Sequence, residues 1–338
     1  MKVVVPDFYR DFRCLAGACH DTCCAGWEVD VDPKTAARYA SVPGPFGKRL
    51  CGSISDGRFL LDASERCPFL DGNNLCEIYR NLGEEFLSDI CRAHPRFVEV
   101  FGDVKELGLG LCCEESARLL LASSDPFRLV EFFDDEESET LDRESQCIRD
   151  SMLEFRAEIL YRLSDRKIPL SARISEMLCF AATSESENVF LPETPAKDLW
   201  ISIWDFLSGL ESLGEAWNKA LSRVRTAPAR FGTDRLFSET DGERIVAYQI
   251  FRYLGKSLYD GDALSKVKFA SLFWLILQRF GGNLASGSSG VSPKVEALKL
   301  LSRQFEYSEE NMERLSLAFA GKPFLSTGAF LVITQELG

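Results

Sequence analysis

A chain of 338 residues has room for about two domains. With 46% apolar and 27% charged residues it has the composition of a folded globular protein. Its net charge of -13 argues against non-specific binding to nucleic acid or to an anionic membrane, both of which need clustered Lys and Arg.

The opening stretch, MKVVVPDFYRDFRC, meets charge and proline before an apolar region forms, so it does not read as a secretory signal. The richest apolar run, residues 272–277, is six long, where a membrane span needs ~20. The expected location is therefore the cytoplasm, where thiols stay reduced. Asp32 followed by Pro33 reads as an N-cap and a first helical proline, which predicts a helix over 34–40. SVPGPFG (41–47) reads as loop, and FLDGNNLCEI (69–78) as two short strands around an Asp-Gly turn. Leu82, Phe86 and Ile90 share one helical face, so residues 81–91 are expected to be helical, and Pro95 bars continuation. Residues 97–113 read as a hairpin turning at Gly102-Asp103, and a helix is expected to begin over 117–122.

Residues 131–144, EFFDDEESETLDRE, hold eight acids and one base and read as a solvated linker or helix face. Beyond them, apolar residues recur at three- and four-residue spacing over 147–163, 195–213, 243–258, 264–280, 293–305 and 309–320. SGSSGVS (286–292) reads as a flexible connection. No internal repeat is expected. The fold class is thus mainly α: a small cysteine-rich metal-binding α+β domain at 1–125, an acidic linker at 126–145, and a helical bundle at 146–338.

Ten of the twelve cysteines and both histidines, His20 and His94, lie in the first 113 residues. Such clustering in a cytosolic chain points to metal binding or catalysis rather than disulfides. Thiolates are soft ligands that suit zinc or iron–sulfur clusters. A structural zinc site usually draws pairs spaced by two to four residues, often C-x2-C; the chain has no C-x2-C, while four residues separate Cys14 from Cys19 and three separate Cys19 from Cys23. A spread of Cys14, Cys19, Cys23, Cys24, Cys67, Cys76 and Cys91 can wrap a cluster with ligands from several loops, and it can equally hold zinc. Adjacent side chains usually point apart, so one of Cys23 and Cys24 is expected to ligate and the other to pack. Cys51, Cys147 and Cys179 read as small buried hydrophobes, and Cys112 and Cys113 stay open between packing and ligation. His20 and His94 could serve as ligands, but each reads more readily as a surface or hydrogen-bonded residue. ELGLG (106–110) has the form of the acid-x-G-x-G turn of dinucleotide-fold methyltransferases. The chain lacks the alternating strands and helices that turn needs, so a plain strand is expected.

FRCLAGACHDTCCAGWEVDVDPKTAARY and CPFLDGNNLCEIYRNLGEEFLSDICRAHPR resemble the bacterial flagellin lysine-N-methylase family. The resemblance is dense over 9–120 and continues weakly at ERIVAYQIFRYL (243–254) and SRQFEYSEEN (302–311). It implies S-adenosylmethionine as methyl donor, flagellin lysines as acceptors, and a [4Fe–4S] cluster on the cysteine region. It carries over most directly onto Cys19, Cys23, Cys67, Cys76 and Cys91, with Cys14 and Cys24 also in the pattern.

Methyl transfer to lysine needs a neutral amine, and a free lysine has a pKa of ~10.4. A base or a desolvating site is therefore expected. Tyr248, Tyr253, Glu306 and Tyr307 are candidates from the matched C-terminal stretches. Radical enzymes that use this donor carry C-x3-C-x2-C. Cys19 and Cys23 make the first half, but the third position is Gly26, so polar transfer is expected.

Overall fold

The computed structural model describes residues 1–138, 140–226, 235–285 and 290–336. The chain opens with β1 (Lys2–Pro6), whose valines are buried. α1 (Pro33–Ser41) begins as expected, with the Asp32 carboxylate accepting the Thr35 N–H at 2.9 Å. α2 (Gly44–Gly52) occupies part of the expected 41–47 loop: Pro43 and Pro45 suit a helix start, and Gly44 supplies a positive φ. A two-stranded ribbon of β2 (Ile54–Ser55) and β3 (Arg58–Phe59) follows.

The expected hairpin at 69–78 is instead a single Leu70–Cys76 bridge that leads into α3 (Glu77–Leu82). The expected helix over 81–91 is broken as well. Gly83 at φ +94° ends α3, and a new start at Ser88, whose hydroxyl accepts the Cys91 N–H, begins α4 (Asp89–Ala93). β4 (Arg96–Phe101) and β5 (Val104–Leu109) form the expected hairpin around Gly102 at φ +68°. α5 (Glu114–Ala122) covers the expected helix start, and β6 (Leu129–Phe133) lies inside the stretch read as acidic linker.

The sheet order is β4-β5-β1-β6. β1 runs parallel to β5, with Val4 opposite Glu106, and antiparallel to β6, with Pro6 opposite Leu129. The helical part comprises α6 (Arg143–Leu163), α7 (Leu170–Ser184), α8 (Ala196–Ser208), α9 (Glu215–Thr226) and α10 (Glu239–Leu254). It continues with α11 (Ser257–Asp260), α12 (Ala263–Leu284), α13 (Pro293–Glu306), α14 (Glu309–Gly321) and α15 (Thr327–Gln335). α12 is the central helix, buried almost all round and packed on α10 and α13. The mainly helical fold is as expected. α7, α9 and α15 are additions, and residues 286–289 of the expected flexible connection lie outside the described residues. Among the described residues no helix is long and apolar enough to cross a membrane.

Two cores form. The larger is continuous from Val4, Phe8, Val104 and Leu109 on the sheet side into α6, α7, α8, α10, α12 and α13. The smaller holds Val29, Val31, Tyr39, Leu50, Phe59, Cys67, Phe69 and Ile78, with Cys24, Cys76 and Cys91 packed against it. The cysteine segment therefore has a core of its own, while β1 and residues 96–122 belong with the helices.

Candidate functional site

Cys67 and Cys76 are presented by the same five-residue loop, used twice. In the first, the Asp62 Oδ1 accepts the N–H groups of Ser64 (2.8 Å) and Arg66 (3.0 Å), and Glu65 turns the chain at φ +56°. In the second, the Asp71 Oδ1 accepts those of Asn73 (2.8 Å) and Leu75 (2.9 Å), and Asn74 turns it at φ +58°. Each loop closes with an aspartate N–H donating to the carbonyl four residues on, at 3.0 and 2.9 Å, and the next residue is the cysteine. These are carboxylate-anchored turns of the kind aspartate favours. Arg66 ties the loops together by donating to Asn74 Oδ1 at 2.9 Å. The expectation of no internal repeat is thus corrected over this short range. Asp five residues before Cys, repeated nine residues later, is the signal that was there to read.

Cys24 is brought in by the Cys67 N–H, which donates to its carbonyl at 2.8 Å, and Cys91 arrives on α4. Cys24, Cys67, Cys76 and Cys91 lie close enough that each thiolate would raise the pKa of its neighbours. Burial, the larger cause, pushes Cys67 up to about 12 and Cys91 up to about 11, and raises Cys76 in the same direction. Cys23 and Cys24 do not point apart as expected: their thiols are hydrogen-bonded. That bond raises Cys23 and lowers Cys24 to about 7, with the Arg66 charge also favouring the Cys24 thiolate. Cys67, Cys76 and Cys91 are thus held close in a partly desolvated place where neighbouring thiolates oppose their ionisation. A cation among them would reverse that balance.

Cys14 is exposed and lies near Cys23, while the Cys19 thiol instead meets Glu114 Oε2 at 3.5 Å. His20 Nδ1 lies 3.0 Å from Glu114 Oε1, an ordinary partner as expected. Cys51, Cys147 and Cys179, read as buried, are exposed on helix surfaces that need no small apolar residue. Among the described residues, no three His, Cys, Asp or Glu side chains are drawn into the geometry of a single metal ion.

A second centre lies behind the thiols, built from the weakly matched C-terminal stretches. It sorts the four candidate bases. Tyr248 is spent structurally: its buried hydroxyl accepts the Leu109 N–H at 2.7 Å and donates to the Leu109 carbonyl. Tyr253 accepts from Arg252 Nε at 2.9 Å, and burial holds its hydroxyl well above the usual tyrosine range. Tyr307 meets Cys112 and stacks on Trp27 with ring centres 4.8 Å apart, and burial keeps it protonated too. Glu306 is the remaining candidate. Its side chain is fully buried, accepts from Gln249 Nε2 at 3.1 Å, and places Oε2 3.1 Å from Arg252 Nε. The Nε–H points at Tyr253, so the Arg252–Glu306 contact is an ion pair rather than a hydrogen bond. Among the described residues, Gln249 Oε1, Arg252 Nη1 and Glu306 Oε2 have no hydrogen-bond partner. Buried orphans of this kind call for an explanation, and the chain carries others away from this centre, at Tyr39, Ser116 and Trp217 among them.

Trp27 also meets His94 edge-on, at 4.9 Å. Burial lowers the His94 imidazole to about 4. The unfolded chain takes up this proton near 6.5, so stability is complete above that pH and is lost as pH falls towards 4. Denaturant titrations at pH 7 and 4.5 should show the protein losing roughly 2–3 kcal/mol that a His94→Asn variant does not lose. Equal losses would remove His94 as the cause.

ELGLG runs along β5 as a plain strand, and Glu106 is buried in an ion pair with Arg156 of α6, at 2.8 Å between Oε2 and Nη1. A small recess lined by Leu170, Ile174, Trp274 and Gln278 shares no residue with either centre.

The chain is 28% identical over 145 residues to the Lysine-N-methylase of Salmonella choleraesuis strain SC-B67, covering 39% of this chain and 35% of that protein. The Lysine-N-methylase of Salmonella typhimurium strain LT2 matches to the same extent. The Flagellar biosynthetic protein FliU of Salmonella muenchen is 28% identical over 144 residues, 39% of this chain and 83% of that protein. The match spans about a third of the length of the lysine-N-methylases. No family model and no solved structure matches the chain.

Proposed function

We propose that this chain is a cytoplasmic protein-lysine N-methyltransferase that uses S-adenosylmethionine and acts on flagellin, with a [4Fe–4S] cluster on its thiol centre. Its likeness to proteins named Lysine-N-methylase and FliU carries the reading. The thiol centre fits the group by its chemistry: Cys24, Cys67, Cys76 and Cys91 are soft donors from separate segments, with Cys23 beside them. A cluster gives each thiolate its own iron and so spreads its ligands more widely than a single ion does. Zinc is the alternative metal. When bound, the metal would supply positive charge that the crowded thiols lack, and the methyl donor would supply the transferred group.

The chain's own part is to take the proton from the lysine ammonium in a dry place and to hold the amine in line with the donor. Of the four candidates Glu306 suits this role, because the three tyrosines keep their protons at neutral pH. A deprotonated amine is already a nucleophile, so polar transfer requires no radical. The alternative is a protein with a purely structural metal. It is favoured by one observation: the thiols pack directly against the small core. Co-expression with the flagellin of the same organism separates the two. Flagellin mass should rise in steps of one methyl group on surface lysines. Unmodified flagellin in the presence of metal-replete protein and donor would overturn the transferase reading.

A further inference from the structure

We infer that Trp27 and Arg303 are positioning residues that tie the Arg252–Glu306 centre to whatever the thiols hold, an inference that rests on the metal-centred reading above. Two segments leave the thiol centre and meet on one ring. Cys24 leads within three residues to Trp27, and Cys91 within three to His94. Trp27 packs against both His94, at 4.9 Å, and Tyr307, at 4.8 Å with planes 19° apart. Tyr307 directly follows Glu306 at the end of α13.

The second tie is polar. Arg303 Nη2, one helical turn before Glu306, donates to the carbonyls of Ala25 and Gly26, each at 3.1 Å. Gly26 holds φ +81°, and a Cβ there would stand 1.8 Å from that nitrogen, so this approach needs glycine. Movement of the 24–27 segment therefore either carries the end of α13 with it or breaks the stack, the two hydrogen bonds, or both. Filling the thiol centre fixes Cys24 and Cys91 together, and so fixes both sides of the ring joint that holds Tyr307 and its neighbour Glu306. The coupling is reciprocal, so loosening α13 must also weaken retention at the thiols.

The test compares protein prepared without oxygen and left unloaded with the same protein loaded with ferrous iron and sulfide. Iron and sulfide are quantified, and amide hydrogen exchange is followed over residues 302–308. Loading should slow exchange there by about tenfold and leave α12, the internal control, unchanged. Trp27→Leu should load yet lose the difference, and Trp27→Phe should restore it. If Trp27→Leu does not fold, Arg303→Ala takes its place with the same expectation, and it should also retain less iron than wild type. Loaded protein with unchanged exchange at 302–308, equal slowing of α12, or a loaded Trp27→Leu that keeps the difference would overturn the inference alone. Wild-type protein that takes up neither iron nor sulfide would overturn the iron–sulfur reading, and this inference with it.

Discussion

Protein purified without oxygen should be brown and contain iron and inorganic sulfide, and Cys76→Ser should lose most of both together with much of its stability. Cys76 sits at the end of its aspartate-anchored loop, among Cys24, Cys67 and Cys91 and against the small core. That core is eight buried side chains held by short elements, none of its helices longer than nine residues. Metal binding of this kind is folding energy, on the order of 10 kcal/mol in the smallest metal domains. On the proposed ligation by four thiolates, losing Cys76 threatens the segment as a whole. Cys179→Ser, on an exposed face of α7, should change neither metal content nor unfolding. The measurements are metal and sulfide analysis and denaturant unfolding of each variant. Stoichiometric zinc without sulfide would replace the cluster by zinc, and equal effects of Cys76→Ser and Cys179→Ser would remove the site assignment altogether.

What the sequence made legible follows from locality. The α1 cap needs only Asp32 and Pro33, and the β4–β5 hairpin only Gly102 between two apolar runs. α10, α12, α13 and α14 announce themselves by spacing. β1 does not: KVVV is a short apolar run, and its parallel partner β5 begins about a hundred residues on. β6 escaped because it is an edge strand whose exposed Glu131 belongs to an acidic run. At 71–75 the Asp-Gly pair looked like a hairpin turn. The Asp71 carboxylate instead captured two backbone N–H groups, and a loop that presents Cys76 resulted.

The thiol centre was legible as a set of cysteines but not as an arrangement. Nothing in CHDTCCAGW says that Cys19 turns to Glu114 while Cys23 and Cys24 hydrogen-bond each other. The same holds for the second centre. Gln249 and Arg252 share a face of α10 by their spacing of three, which the sequence shows. That this face meets Glu306 of α13 and the ring of Trp27's partner is tertiary, and only packing of α10, α12 and α13 brings it about.

The buried ion pair makes the second large effect. Arg252→Met should destabilise the protein by about 3–5 kcal/mol, because it strands the Glu306 carboxylate without its cation in a fully buried position. Glu306→Gln should cost less, since a neutral amide can still accept from Gln249 and can donate to its unpartnered Oε1. Arg252→Met combined with Glu306→Leu should recover much of the loss, as replacing both members of a buried pair by apolar groups often does. The pair would then be present for a reason other than stability, and the proposed methyl transfer is the candidate to test. Glu306→Gln should fold and hold metal yet fail to methylate flagellin, because the amide cannot accept the lysine proton. Unfolding midpoints for the three variants test the energetics, and the mass of co-expressed flagellin tests the chemistry. An Arg252→Met protein within about 1 kcal/mol of wild type would mean that the Arg252–Glu306 contact does not carry the expected energy. A Glu306→Gln protein that still methylates would move the base elsewhere.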